Sequence, residues 1–207
     1  MIKNKKDLEF YLAADKFALG IKHNRPRIQD VIWKYQIYLR KSEYYRNQDR
    51  RLINRVMSAL YKYKKLKLGL LLGFDIGDNV FGAGLKINHF GNLVVSAEAR
   101  IGMWCDIHQG VNVGTSNSVD GNILTPTIGN NVWIGPGAKI YGDIQISNRS
   151  VIGANSVVNK SFTENVTLAG VPAVVIKQSG TQDIDVAASP KRVETFLRKF
   201  PEYKKRI

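Results

Sequence analysis
The chain is poor in the residues that most often announce a chemistry. It holds one cysteine and three histidines in 207 residues. A lone Cys105 excludes an intrachain disulfide and a cysteine-built zinc site. It has no base beside it in the sequence, so it reads as packing, and no metal is expected. No stretch approaches the roughly 18 continuous apolar residues that a membrane span requires. Lys3, Lys5, Lys6, Asp7 and Glu9 stand where a secretion signal would place an apolar block, so the expected location is the cytoplasm or the inner face of a membrane. Neither a Walker-type phosphate loop nor a dinucleotide Gly-x-Gly-x-x-Gly after a strand is present. Acidic residues are few, 17 against 31 Lys and Arg, which leaves a net charge of +14.

That charge is unevenly spread. Residues 1–72 carry +12, residues 73–185 carry −3 and residues 186–207 carry +5. Basicity confined to the flanks points to an anionic partner for the flanks and away from a nucleic-acid-binding domain.

The middle of the chain is organised by a period. Ile101, Ile107 and Val113 stand six apart; after a break, so do Ile128, Ile134, Ile140, Ile146, Ile152 and Val158. A helix repeats every 3.6 residues and a strand every 2, so neither explains the ladder. Glycines follow the branched residues at Gly102, Gly114, Gly129, Gly135 and Gly153. A six-residue unit of short strand plus bend, stacked on copies of itself, is the pattern of a parallel β-helix, in which neighbouring coils bury the apolar row jointly. At three units per coil and a strand spacing of ~4.8 Å, residues 74–177 make five or six coils, about 25 Å of prism. The general rule for parallel crossovers would make the coil right-handed. Val113 to Ile128 is not a multiple of six, so a polar loop over 114–127 leaves the prism.

The flanks read as helices. Periodic apolar positions predict helices over residues 5–20, 28–46, about 50–68 and 190–204. The expected organisation is a basic helical region over 1–72, a β-helix over 73–178 and a tail with an amphipathic helix over 179–207. The N-terminal helices read as a cap over the open end of the prism. Arg46, Arg50, Arg51, Arg55, Lys62, Lys64, Lys65 and Lys67 add a second reading, a dock for a membrane surface or an acidic glycan.

The segments GAGLKINHFGNLVVSAEARIG, IHQGVNVG, PTIGNNVWIGPGAKIYGDIQI, VIGANSVV and AGVPAVVIK carry a resemblance. Over residues 74–177 the chain resembles the hexapeptide acyltransferases, and among them serine acetyltransferase and the related capsule or exopolysaccharide O-acetyltransferases. The resemblance implies a left-handed β-helix, a homotrimer with active sites between subunits, acetyl-CoA as donor and a histidine base. Of His23, His89 and His108, only His89 lies in the glycine-bracketed segment similar to the family's catalytic one. A histidine, with an ordinary pKa near ~6.5, suits removal of a hydroxyl proton as the thioester is attacked. Counting back by sixes from Ile101 through Val95 lands on residue 89, so a strict register would bury it. The family's orienting acid matches Phe74; the nearest carboxylate, Asp75, is one residue displaced. His108, 19 residues after His89, is either a neighbour of the same cleft or a solvent-facing turn residue. His23 falls in the bend between two helices and reads as surface.

By the same resemblance an extended pantetheine lies along the coils at Gly114, Gly135, Gly137, Ala138 and Ala154, positions that turns demand in any case. Lys160 and Lys177 are candidates for the nucleotide phosphates. The family's acidic residue before the base and its Arg-His pair before a proline fall on Asn88 and on Leu124-Thr125 before Pro126. A buried site without partners for an ammonium and a carboxylate disfavours serine by several kcal/mol. The expectation is therefore a sugar hydroxyl of a surface polysaccharide or lipid-linked glycan, contacted by Asn88, His108 and Thr125, with Trp104 or Trp133 either stacking on the sugar or standing as turn residues. Serine O-acetyltransfer with a rearranged pocket is the alternative, and a non-enzymatic interaction module is a third reading.

Overall fold
The computed structural model describes residues 1–49 and 51–207; Arg50, one of the basic residues singled out above, lies outside them. Among the described residues the chain forms a parallel β-solenoid of five coils, entered through three helices and left through a fourth.

Each coil visits three faces in turn. The first coil holds β1 (Phe74–Ile76), a bridge at Phe81 and β2 (Lys86–Ile87). The second holds β3 (Leu93–Val95), β4 (Arg100–Ile101) and β5 (Asp106–Ile107). The third begins with β6 (Asn112–Val113), leaves the prism through the antiparallel hairpin β7 (Ser116–Asn117) and β8 (Ile123–Leu124), and returns as β9 (Thr127–Ile128) and β10 (Trp133–Ile134). The fourth is β11 (Lys139–Ile140), β12 (Gln145–Ile146) and β13 (Val151–Ile152). The fifth is β14 (Val157–Val158), a bridge at Phe162 and β15 (Thr167–Gly170), after which β16 (Ala173–Lys177) turns back antiparallel. On the third face Ile87, Ile107, Ile134, Ile152 and Leu168 stack in register, none more than 1% exposed. Burying each such side chain is worth about 1.5–3 kcal/mol, available only when the coils above and below are present.

The inward positions come in pairs two residues apart, such as Leu93 and Val95, Ala99 and Ile101, Cys105 and Ile107, Val111 and Val113. Cys105 is one of these core residues, and burial pushes its thiol pKa well up. The preceding pair is Leu85 and Ile87, so five residues separate Ile87 from Leu93 where three separate Ile107 from Val111. Two extra residues in the corner break the six-residue count and leave His89 exposed.

The entry helices are α1 (Lys5–Ala18), α2 (Val31–Arg46) and α3 (Leu52–Leu72). Asn4 caps α1: its side chain accepts from Asp7 N–H, and the Asp7 carboxylate accepts from Asn4 N–H at 3.2 Å. The sequence pattern ends the third helix near residue 68. Instead α3 runs to Leu72 and stops at Gly73, whose φ of 74° supplies the left-handed cap that ends helices. The exit helix α4 (Pro190–Lys199) ends earlier than expected, because Pro201 starts a 3-10 turn over Pro201–Arg206.

Two contacts fasten the flanks to the prism. Trp104, 1% exposed, packs on Phe17 of α1 and Phe196 of α4 with ring centroids 6.3 and 5.1 Å apart. Gly84 (φ 84°) lies under that indole, where an added Cβ would come within 2.6 Å of the ring. The second is polar. Arg40, wholly buried, donates to Asp15 at 2.7 Å, to Glu43 at 3.1 Å and to the carbonyls of Phe81 and Gly82 at 2.9 and 2.7 Å. Asp15 in turn accepts from the N–H groups of Gly84 and Leu85 at 2.8 and 2.9 Å. The backbone edge of the first coil, which has no coil beneath it, is thus satisfied by side chains of α1 and α2. Lys65 and Arg46, counted above among docking cations, instead pair with Asp78 at 2.5 and 3.4 Å. No helix among the described residues is long and apolar enough to cross a membrane.

Candidate active site
Residues on the outer side of the third face should point to water, because their neighbours Leu85, Ile87, Cys105 and Ile107 point in. Lys86, Asp106 and Trp133 hold consecutive outward places in register there. They do not reach open water. The end of α1 and the chain around α4 arch over them and leave a cleft of about 540 Å³, walled by these three residues, Asn88, His108, residues 17–22 and the 185–199 segment.

Asp106 is the unusual member, an outward carboxylate only 2% exposed. Asn88 donates its side-chain N–H to Asp106, and the Lys86 ammonium lies 3.7 Å from the other carboxylate oxygen. His108 Nε2 is 3.1 Å from the same Asn88 nitrogen and 3.6 Å from Asp106. Burial lowers the His108 pKa, with Lys86 and His89 adding to that and Asp106 opposing it. A neutral ring with Nε2 as acceptor fits the Asn88 donor.

His89 follows Asn88 at the corner between the third and first faces. Its ring centroid is 6.4 Å from that of His108, and the His108 ring is 4.8 Å from Trp133. His89 itself is exposed and is not part of the cleft wall. Above His89 the same corner presents Gly110 and Gly137, each with φ of 76°. A Cβ on Gly110 would lie 3.2 Å from the Gly137 nitrogen, and Gly137 N–H donates to the Gln109 carbonyl at 3.0 Å. Backbone lies open where side chains would otherwise stand, which suits an extended amide-bearing chain.

The sequence candidates scatter around this centre. Asn88 and His108 are in the cleft wall; Trp133 is too. Trp104 is not a stacking surface: it is core between the solenoid and the flanks, a place invisible until α1 and α4 are docked. Asp75 is exposed on β1, paired with Val94 in register, and no hydrogen bond or ion pair among the described residues joins it to His89. Thr125 is half-buried at the base of the hairpin, outside the cleft wall. Ala138 points into the core with no exposure, so it cannot touch a ligand. Gly135, Gly137 and Ala154 share the His89 corner, whereas Gly114 lies at the next corner, where the hairpin departs. Lys160 and Lys177 are exposed on the last coil. His23 is paired with Asp30 at 2.6 Å beside α2. Asp106, Lys86 and Gly110 were missed. Their signal was present, since Lys86-Ile87 and Asp106-Ile107 occupy the same outward-inward slot one coil apart.

Comparison with known proteins places this geometry. Residues 125–160 match the family described as bacterial transferase hexapeptide (six repeats). The serine acetyltransferase of Synechococcus elongatus is 39% identical over 114 residues, 55% of this chain and 46% of that protein. That of Staphylococcus xylosus is 38% identical over 134 residues, 60% of this chain and 62% of its own length. The chain thus spans about half the length of the curated relatives it matches. Among solved structures, Brucella abortus serine acetyltransferase in complex with coenzyme A superimposes with a TM-score of 0.64 at 29% identity, covering 85% of this chain and 70% of that one. Against these relatives the expectation of a sugar acceptor, with its capsule or lipid-linked glycan partner, does not stand. Positions 88, 124 and 125 carry no charge, but the fold sets the Asp106 carboxylate beside Asn88.

Proposed function
We propose that this chain, a serine acetyltransferase-like member of the hexapeptide-repeat acyltransferase superfamily, is a serine O-acetyltransferase that takes its acetyl group from acetyl-CoA. The observation that carries the reading is the buried Asp106 carboxylate beside Asn88 and His108, one residue from the corner that holds His89. In this reading Asp106 receives the serine ammonium and Lys86 its carboxylate. The two charges the acceptor needs are thus supplied from coil neighbours, so neither is left unpaired in the cleft.

His89 acts as the base. It takes the proton from the serine hydroxyl as that oxygen bonds to the thioester carbonyl carbon, and it returns the proton to the sulfur as the carbon–sulfur bond breaks. His108, neutral because its pKa is lowered by burial, and Asn88 hold the acceptor's polar end. Asp75 is kept as a candidate to orient His89 on the resemblance alone. In this reading Gly110, Gly137 and Ala154 leave the corner open to the pantetheine of acetyl-CoA, and the exposed Lys160 and Lys177 meet its phosphates. The working form is a homotrimer: Phe90, next to His89 in the chain and 68% exposed, is a large apolar side chain that a neighbouring copy would cover. In this reading the reaction runs in the cytoplasm.

The test is thiol release from acetyl-CoA with L-serine as acceptor, alongside sedimentation of the same sample. Serine should give saturable release, and His89→Ala should slow it by ~10²–10⁴ with the assembly mass and donor binding unchanged. Release with neutral sugars but not with serine would overturn the acceptor, and a fully active His89→Ala would overturn the base.

A further inference from the structure
The helix α3 is at odds with the rest of the molecule. Of its 21 residues only Gly69 and Leu72 are buried. One side packs on α2, and the other is open to solvent. At ~100° per residue, Leu52, Val56, Tyr63, Leu66 and Leu70 fall on one line down the centre of that open side. They are 75, 53, 61, 57 and 77% exposed. Ile53 and Leu60 widen the strip to roughly 140° of arc, broader than the narrow seam of a coiled coil. Arg55 and Lys62 border it on one flank, Lys67 interrupts it and Arg51 stands at its start. No acidic residue occurs between Asp49 and Asp75.

We propose that the outer face of α3 lies on an anionic lipid surface. A broad apolar strip edged by cations sinks between lipid headgroups while the cations meet the phosphates. A second copy of the helix is a poorer occupant, because parallel pairing along the Leu52, Val56, Tyr63, Leu66 and Leu70 line would set Lys62 against the Lys67 of its copy. The chain's charge fits the same orientation: residues 1–72 carry +12, and the solenoid over residues 73–185 is mildly acidic and would stay in water. The proposal does not rest on the acceptor, since α3 contributes nothing to the cleft wall.

Vesicle flotation tests it with the full chain. Vesicles of phosphatidylcholine with about 30 mol% phosphatidylglycerol should carry roughly tenfold more protein than phosphatidylcholine alone, and ~0.5 M salt should reduce the difference. Val56→Asp with Leu66→Asp should abolish flotation, and Arg55→Glu with Lys62→Glu should remove the preference for the anionic vesicles. Both double variants should keep the sedimentation mass and the rate of thiol release in solution. Equal flotation with both lipids, or flotation that survives the two aspartates, would overturn the proposal. So would a fall in assembly mass on introducing them, which would show that another copy covers the strip.

Discussion
The solenoid and its helical entry are held together in opposite ways. In the solenoid the stabilisation is divided among many equivalent side chains: Ile87, Ile107, Ile134, Ile152 and Leu168 do the same thing at successive levels. In the entry it converges on Arg40 of α2, which pairs with Glu43 on its own helix and joins that helix to α1 through Asp15 and to the first coil through the carbonyls of Phe81 and Gly82. A repeated apolar contact loses little when one member is trimmed, because its neighbours remain. A buried charged network fails as a unit, because removing one partner leaves the others charged, desolvated and unpaired.

The largest effect should follow from the entry. Arg40→Ala should cost about 3–5 kcal/mol, the usual range for stranding buried partners, read from the urea midpoint followed by circular dichroism. Ile134→Val, which removes one methylene from the middle of a stack, should cost only about 0.5–1.5 kcal/mol in the same measurement. Equal costs would erase the contrast between the two regions, and a larger cost for Ile134→Val would reverse it.

The smallest effect sharpens the comparison at the cleft, where the two regions meet. The folded His108 pKa lies below its unfolded value near 6.5, lowered first by burial and further by Lys86 and His89, against the pull of Asp106. Between the two values the unfolded chain binds more protons, so stability is full above the unfolded pKa and declines as pH falls through the folded one. The melting temperature should therefore drop modestly between about pH 7.5 and 5, and His108→Gln should flatten that part of the profile. A wild-type profile that rises on acidification would mean that Asp106 governs the ring more than burial does.

What was legible in the sequence follows the same division. A six-residue ladder reports its own geometry, so the coils and the excursion after Val113 could be read residue by residue. The exposure of His89 could not be read from the count of sixes, which put it inside; the two extra residues of its corner are visible only once Leu85 and Ile87 are seen to be the inward pair. Trp104 and Arg40 were opaque for another reason. Each is defined by segments far apart in the chain, Trp104 by Phe17 and Phe196, Arg40 by Asp15 and Phe81, and no local pattern encodes that meeting. Asp106 lay between these cases: its slot was periodic, but its burial depended on the flanks.

The hairpin of β7 and β8 has a consequence for how such a chain can change. It leaves between β6 and β9, yet Arg100, Thr127 and Gln145 remain register partners across it, as do Ile101, Ile128 and Ile146. The stack above and below does not register how many residues the detour contains. Closing a longer detour costs only about 0.6 kcal/mol for each doubling of its length. A corner of this kind is a splice point: a lineage can lengthen, shorten or replace the loop without renegotiating a single core contact, so this part of the surface is free to diverge while the prism stays the same.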